Sequence, residues 1–556
     1  MKATLQFLFI VGCERQREVV PRDEPSTMEV SSSSPILCRT PRSVPFEATR
    51  TGAQHDSAHA ELVGAGIGVE DYDDDGFLDL FLPSVQATDA RMFWGDDGAF
   101  VEDDASGWAP LDASAAVSHA DYDSDGDLDL FVARWEQPSV LLRNEGGRQF
   151  VDATAESGLG RHAVKAQTAP WADIDGDGDL DLFIGAYGER AVIITDGSCD
   201  DHVPDAHPGQ LWRNNGDGTF TDASDHLPDE LDGQQDVALE QWDAYVFMAA
   251  FYDLDGDHRP ELLVSNDDGL CQGSLALANR DGGFEVGGAR GWDGDRHDMG
   301  MASADLNGDE LPDFAITSYQ NVSYFESADL GDEPVYVDAG LTVGIVDDWA
   351  SRDRTFGWGT EFGDLDNDAD EDLVSVFGFW EYYANDDPKL QPDALFVRGD
   401  DGRFSEEAEG WGLADNGVSR SVVLADLDRD GTLDVVKRLL GDAATGGGAL
   451  VDKTAATKMY LSNCEPSAWI TVRLRDERSA NGFGVGAKIR AISDRTQVRW
   501  VTASSTGMYS ARPLEAHFGL ADAERVDLEV VWPDGEVLRV DDVATRQVVT
   551  LRRKAP

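Results

Sequence analysis

Positive charge is scarce in this chain. Lys and Arg together number 44 against 108 Asp and Glu, leaving a formal charge of −64 over 556 residues. A field of that sign repels phosphate backbones, which excludes nucleic acid as a partner. Cysteine is sparse too, at five. After the N-terminal stretch no apolar run reaches the length of a spanning helix, so the only membrane attachment left open is at the N-terminus. The patterns GxSxG, HExxH and GxxxxGK[ST] are also missing, so no familiar hydrolase, metalloprotease or nucleotide site is visible. Acidity alone can mean disorder. Here 41% hydrophobic residues, 14 Trp, 12 Tyr and 24 Phe argue for packed structure. The 57 Gly among short β-branched and aromatic runs suggest a turn-rich β protein. The length calls for two or more domains or a repeat architecture.

The chain starts MKATLQFLFIVGC, with Lys2 ahead of a short apolar run from Leu5 to Val11. The tetrad Ile10-Val11-Gly12-Cys13 resembles a bacterial lipobox, which makes residues 1–12 a signal peptide and Cys13 a lipidated N-terminus. Export without lipidation is the alternative. Residues 13–42 are polar, include Ser31 to Pro35 (SSSSP), and read as a tether. The expected location is the bacterial cell envelope or surface, through a lipid anchor; secretion is the alternative.

One nine-residue loop occurs seven times. The copies are DYDDDGFLD from Asp71, DYDSDGDLD from Asp121, DIDGDGDLD from Asp173 and DLDGDHRPE from Asp253. DLNGDELPD from Asp305, DLDNDADED from Asp364 and DLDRDGTLD from Asp426 complete the set. Apolar stretches on both sides suit two antiparallel strands joined by the loop. A second pattern follows, as in VLLRNEGGRQFVDAT from Val140 and LWRNNGDGTFTDAS from Leu211: strand, Gly/Asn/Asp turn, strand. Two hairpins make a four-stranded blade, and seven such units fit an all-β, seven-bladed β-propeller over residues 43–465. The second hairpin of the last unit lacks its final strand after KMYLSN. PFEATRTG, Pro45 to Gly52, supplies it in this reading and closes the ring without exposed edges. A Cys38–Cys464 disulfide would lock that closure, and Cys199 and Cys271 are left as a second pair; free thiols are the alternative.

The loops are expected to bind metal. Their first, third, fifth and ninth positions are Asp71, Asp73, Asp75 and Asp79; Asp121, Asp123, Asp125 and Asp129; Asp173, Asp175, Asp177 and Asp181. The later four are Asp253, Asp255, Asp257 and Glu261; Asp305, Asn307, Asp309 and Asp313; Asp364, Asp366, Asp368 and Asp372; Asp426, Asp428, Asp430 and Asp434. Hard oxygen donors at alternating positions suit calcium, with Gly at the sixth position permitting a sharp turn. Zinc would favour His or Cys. One set repeated seven times does not suit acid–base catalysis, which needs two carboxyls in different environments. Loops four to six carry His258, Glu310 and Ala369 where the others carry Gly, so weaker binding is expected there.

These loops resemble FG-GAP/VCBS repeats. SANGFGVGAKIRAI from Ser479, EAHFGLADAERVDLEVVWPDGEV from Glu515 and the closing VVTLRR resemble the ASPIC/UnbV domain. The pair resembles the cartilage acidic protein family and its bacterial relatives. The resemblance implies a calcium-binding propeller followed by an ASPIC/UnbV domain over residues 466–556. WITVRLR, GAKIRAI, RVDLEVVW and QVVTLR read directly as its strands. It also implies extracellular adhesion, with an unknown protein or glycan as ligand. The alternative is an enzyme, or an accessory protein in a secreted or natural-product pathway. Cys199 to His207 (CDDHVPDAH) has zinc-like spacing but reads better as a loop. The scattered Trp residues could stack on sugars, or fill the layers between blades.

Overall fold

The computed structural model describes residues 46–47, 66–83, 90–96, 98–103, 111, 113–159, 163–187, 209–228, 245–267, 273–280, 282–292, 296–319, 321–329, 333–345, 355–378, 391–414, 417–443, 450–452, 456–462, 467–504 and 507–555. The signal and tether, all five cysteines and residues 199–207 lie outside them.

Each acidic loop joins two antiparallel strands. Gly68–Glu70 pairs with Asp79–Leu82, and Ser114–Ala120 with Asp129–Pro138. Val246–Tyr252 pairs with Glu261–Asn266, Asp298–Ala304 with Asp313–Ser318, and Gly357–Gly363 with Asp372–Phe377. These strands are buried along nearly their whole length, which explains why they read as continuous apolar runs and not as alternation. The second hairpin then adds two outer strands, such as Gln210–Asn214 and Phe220–Asp222. Among the described residues the strands of the repeats pair into four four-stranded sheets, one five-stranded and one nine-stranded sheet, which together hold the seven repeat units. Units two and three are bridged by Ala163–Thr168, which pairs with a strand of each.

The expected closing strand is present in part. Phe46–Glu47 pairs antiparallel with Ala456–Tyr460, Phe46 opposite Met459 and Glu47 opposite Lys458. The last unit also packs on the first: Ile67, Val69 and Leu80 share a core with Val423, Leu427 and Met459. The sheets therefore form a closed, propeller-like ring. Trp171, Trp212, Trp292 and Trp358 are fully buried. These four serve packing, and among the described residues Trp411 and Trp500 are the more exposed indoles.

The chain after the ring forms two small sheets. Trp469–Asp476 lies between Glu515–Gly519 and Gln547–Arg553, the last in parallel. Lys488–Ile492 pairs with Thr496–Trp500 and Arg525–Val531, and Val537–Ala544 completes that sheet. From this C-terminal unit residues 501–504 and 507–514 enter the middle of the ring. Trp171 N donates to Ala503 O at 2.8 Å, Val117 N to Tyr509 O at 2.9 Å, Val422 N to Gly507 O at 3.1 Å and Val69 N to Ala511 O at 3.0 Å. Those four donors belong to units three, two, seven and one. Met508 and Tyr509, at the tip, are completely buried.

Candidate metal loops and the face they form

The ninth residue of each loop opens the second strand and is buried; Asp79 and Asp313 are 0% exposed. Its carboxylate ties three chain segments together. Asp79 accepts from Tyr72 N at 2.9 Å and Gly95 N at 2.7 Å. Asp129 accepts from Tyr122 N and Asn144 N, Asp181 from Ile174 N and Asn214 N, and Asp372 from Leu365 N and Arg398 N. Asp434 does the same with Leu427 N and Ser462 N. The first residue turns the loop: Asp71 accepts from Asp75 N and Gly76 N, both at 3.0 Å. The fifth turns back on the seventh amide, as Asp75 does on Phe77 N and Asp125 on Asp127 N.

The remaining lone pairs converge. One carboxylate oxygen from each of the first, third and ninth residues lies within 4.8 Å of the others in Asp71/Asp73/Asp79, Asp121/Asp123/Asp129, Asp173/Asp175/Asp181, Asp253/Asp255/Glu261 and Asp364/Asp366/Asp372. These clusters could hold a metal ion. Asp123 Oδ1, Asp175 Oδ1 and Asp426 Oδ1 are buried with no hydrogen-bond partner. A buried acceptor left bare is costly unless a cation satisfies it. Burial also pushes the acids up: Asp79, Asp181, Asp364, Asp372 and Glu261 to about 8, Asp121 to about 7, Asp71 and Asp173 to about 6. A divalent ion would reverse that preference for the neutral acid. An all-oxygen donor set fits a hard cation such as calcium.

The loops differ as the sixth position foreshadowed. Gly76, Gly126, Gly178 and Gly431 have φ between 94° and 98°, and His258, Glu310 and Ala369 adopt φ of 67°, 67° and 77° in their place. The left-handed conformation is required, and three loops meet it with a side chain in the way. The fourth position is left-handed too, at Asp74, Ser124, Asn367 and Arg429 as well as Gly176, Gly256 and Gly308. The sixth loop thus carries two strained side chains, Asn367 and Ala369. In the fifth loop Asn307 donates Nδ2 to Ser327 O at 2.8 Å, and Ser327 Oγ donates to Asp309 and Asp313. That loop partly satisfies itself.

One repeated residue escaped the sequence reading. Asn144, Asn214 and Asn279 are buried at the end of a third strand. Asn144 Nδ2 donates to Tyr72 O of the preceding loop at 2.8 Å and to Leu128 O of its own. Asn214 bridges Tyr122 O and Leu180 O, and Asn279 bridges Ile174 O and Pro260 O. Arg398 reaches Leu306 O in the same way. The signal was the recurring Asn of VLLRN, LWRN and LALAN.

The C-terminal unit sits on the loop face and meets every loop. Arg473 bonds Asp71 at 3.1 Å in loop one. In loop two, a Cβ on Gly482 would lie 3.4 Å from Asp121 Oδ2. Asn481 N donates to Gly178 O in loop three at 2.8 Å, and Gly535 packs on the His258 ring of loop four. Arg490 and Lys488 pair with Glu310 of loop five at 2.5 and 3.3 Å. In loop six, His517 Nε2 lies 3.0 Å from Asn367 Oδ1 and Arg495 pairs with Asp370 at 2.7 Å. In loop seven, Glu515 pairs with Arg429 at 2.6 Å and Trp469 lies against Gly431. Burial opposes ionisation of Glu515, yet Arg429 and Arg473 together hold it down to about 2. Over loops three to five the two parts separate into a cleft of about 800 Å³, lined by Asp173, Asp253, His258, Trp500 and Trp532 among others.

Comparison with known proteins agrees with the two-part construction. The FG-GAP-like repeat family model matches residues 121–184, and the ASPIC and UnbV family model matches residues 477–556. No curated protein matches the chain. Among solved structures, a lectin from Agrocybe aegerita that recognises non-reducing terminal N-acetylglucosamine is 17% identical, with 62% of this chain and 79% of that one covered and a TM-score of 0.36. BBS1N, solved in complex with ARL6DN, is 11% identical, with 75% and 100% covered and a TM-score of 0.37. At such TM-scores neither likeness bears on the ligand. Among the described residues no helix is long and apolar enough to cross a membrane. The chain combines FG-GAP-like repeats, folded as a propeller-like ring, with an ASPIC/UnbV unit seated on their acidic loops.

Proposed function

We propose that the protein is an exported calcium-binding module, held at the cell surface through Cys13, that binds a protein or glycan ligand. The observation that carries the calcium reading is the set of bare, buried carboxylate oxygens at converging acidic clusters. Calcium supplies charge neutralisation and fixes the loops; the chain's own residues supply the binding surface. Loops one, two, three, four and six each bring three acids together, the side chains at the sixth position of loops four and six weaken those two, and loop five is the weakest because Asn307 is neutral and engaged elsewhere. Calorimetric titration of metal-stripped protein tests this. Asp121→Ala should lower the calcium stoichiometry by about one ion. An unchanged stoichiometry rejects metal binding at that loop.

The cleft over loops three to five is the favoured ligand entrance. Its aromatic and carboxylate lining suits a sugar, and Trp500 is its partly exposed indole. Retention on immobilised neutral sugars and amino sugars should need calcium and fall at least about tenfold in Trp500→Ala. Retention that ignores Trp500 places the ligand elsewhere, and no retention on any sugar leaves a protein ligand as the reading.

A further inference from the structure

We infer that the C-terminal unit is a cap whose docking depends on the metal state of the seven loops. This rests on the calcium reading above. Two observations carry it.

First, in loops three to seven the cap docks on residues at the positions set by loop closure. Gly178 O, His258, Glu310 and Gly431 are sixth residues, and Asn367 and Arg429 are fourth residues. All of these have positive φ. Such a backbone persists only where the surroundings hold it. Ligation of the first, third and ninth carboxylates would draw the loop closed and present the fourth and sixth residues in that conformation. Without a cation, the acids of each loop crowd one turn and repel one another. A loop that opens moves the cap's footholds. Three turns of the C-terminal unit dock in this way: Asn481 of SANGFGVG on loop three, His517 of HFGL on loop six and Gly535 of WPDG on loop four.

Second, the part inserted into the ring is itself strained. Gly507, Met508 and Tyr509 have φ of 55°, 61° and 62° in succession. Left-handed residues normally occur singly. This tip is held by hydrogen bonds to strands of different units, so it requires the ring and the cap to be in register.

The charges on the cap pull the other way. Arg473, Lys488, Arg490 and Arg495 would be drawn more strongly to acids that no metal neutralises. These are flexible, partly solvated side chains that tolerate displacement, whereas the backbone contacts do not. Docking therefore follows loop geometry.

Amide hydrogen exchange of the full chain, with calcium and with the metal removed, reads the outcome. Metal removal should speed exchange at Val69, Val117, Val422 and Asn481 about tenfold or more, while amides inside the cap sheet, such as Val472 and Ile489, stay protected. Equal exchange in both states, or slower exchange without metal, overturns the inference if calorimetry shows calcium bound. If calorimetry finds no calcium bound, both the reading and the inference fall. His517→Ala supplies an independent check, because it removes the foothold on Asn367 without removing a metal ligand or one of the cap's Arg and Lys charges. Coupling is reciprocal, so this substitution should raise the calcium concentration needed for half protection by about threefold or more. An unchanged midpoint overturns the coupling.

Discussion

Stripping calcium should lower the melting temperature by roughly 15 °C, and the deficit should grow as the pH rises from about 5 to about 8. Each filled site adds about 2.7 kcal/mol when free metal exceeds its dissociation constant a hundredfold. Five converging clusters then exceed about 13 kcal/mol, which is comparable to the whole stability of an ordinary domain. The pH dependence follows from the buried acids. Asp79, Asp181 and Asp372 are raised from 3.8 to about 8 in the fold, by burial first. Between those two values the folded, metal-free chain binds more protons than the unfolded chain. Its stability is therefore greatest below the lower value and is lost as the pH climbs toward the upper one. Each tenfold displacement of a protonation equilibrium is worth about 1.4 kcal/mol, so even a fraction of these displacements is measurable. Bound calcium removes the dependence, because the ligands are then ionised and neutralised. Differential scanning calorimetry across the pH range checks both parts. A metal-free protein that grows more stable from pH 5 to 8 would contradict the sign.

Local pattern made much of the fold legible. The seven loops stood out because a metal cage needs its donors at fixed, short spacing. The strands stood out because each loop is flanked by apolar runs. Even the ring closure was accessible, since a missing strand at one end and an extra one at the other must pair to satisfy their backbone groups; Phe46 opposite Met459 bears this out. What stayed hidden is long-range. Asn214 looked like a turn residue, and its amide spans two units through Tyr122 O and Leu180 O. Glu310 looked like a defect in a calcium loop. It is a docking residue whose carboxyl is held low by its bonds to Arg490. No spacing rule connects Glu310 to Arg490, or Asp71 to Arg473, because those pairs are set by how the ring and the C-terminal unit meet.

The same long-range packing changes where a ligand can go. The ring's middle is taken by residues 501–504 and 507–514. Val69, Val117, Trp171 and Val422 spend their amides on it. Tyr509 packs at 6.5 Å, centroid to centroid, from Phe247. The open volume lies off the axis, above loops three to five. Under the calcium reading, metal, cap and plug would act in series, from the loops to the C-terminal unit to the tip in the ring.

Gly507→Ala should break that series at its last link. A Cβ at Gly507 would lie 1.8 Å from Val422 O and 2.9 Å from its carbonyl carbon. Both are backbone atoms of a fully buried strand, Gly417–Ala425, and cannot swing aside as a side chain could. The φ of 55° adds the left-handed penalty of about 1 kcal/mol. Relief requires the tip to withdraw, which also forfeits the Val422 N to Gly507 O bond. The total expected loss is about 3 kcal/mol or more, at the upper end for a single substitution. Gly147→Ala is the control. Its φ is 60° and nothing lies within 4 Å of the added carbon, so only backbone strain of about 1 kcal/mol applies. Denaturant unfolding should rank the two in that order. In calcium, hydrogen exchange of Gly507→Ala should lose protection at Val117 and Val422 while the paired strands Val246–Tyr252 and Glu261–Asn266 keep theirs. If the two variants lose equal stability, or if both leave Val422 protected, the tip is not clamped by the ring and the close approach at Gly507 carries no energy.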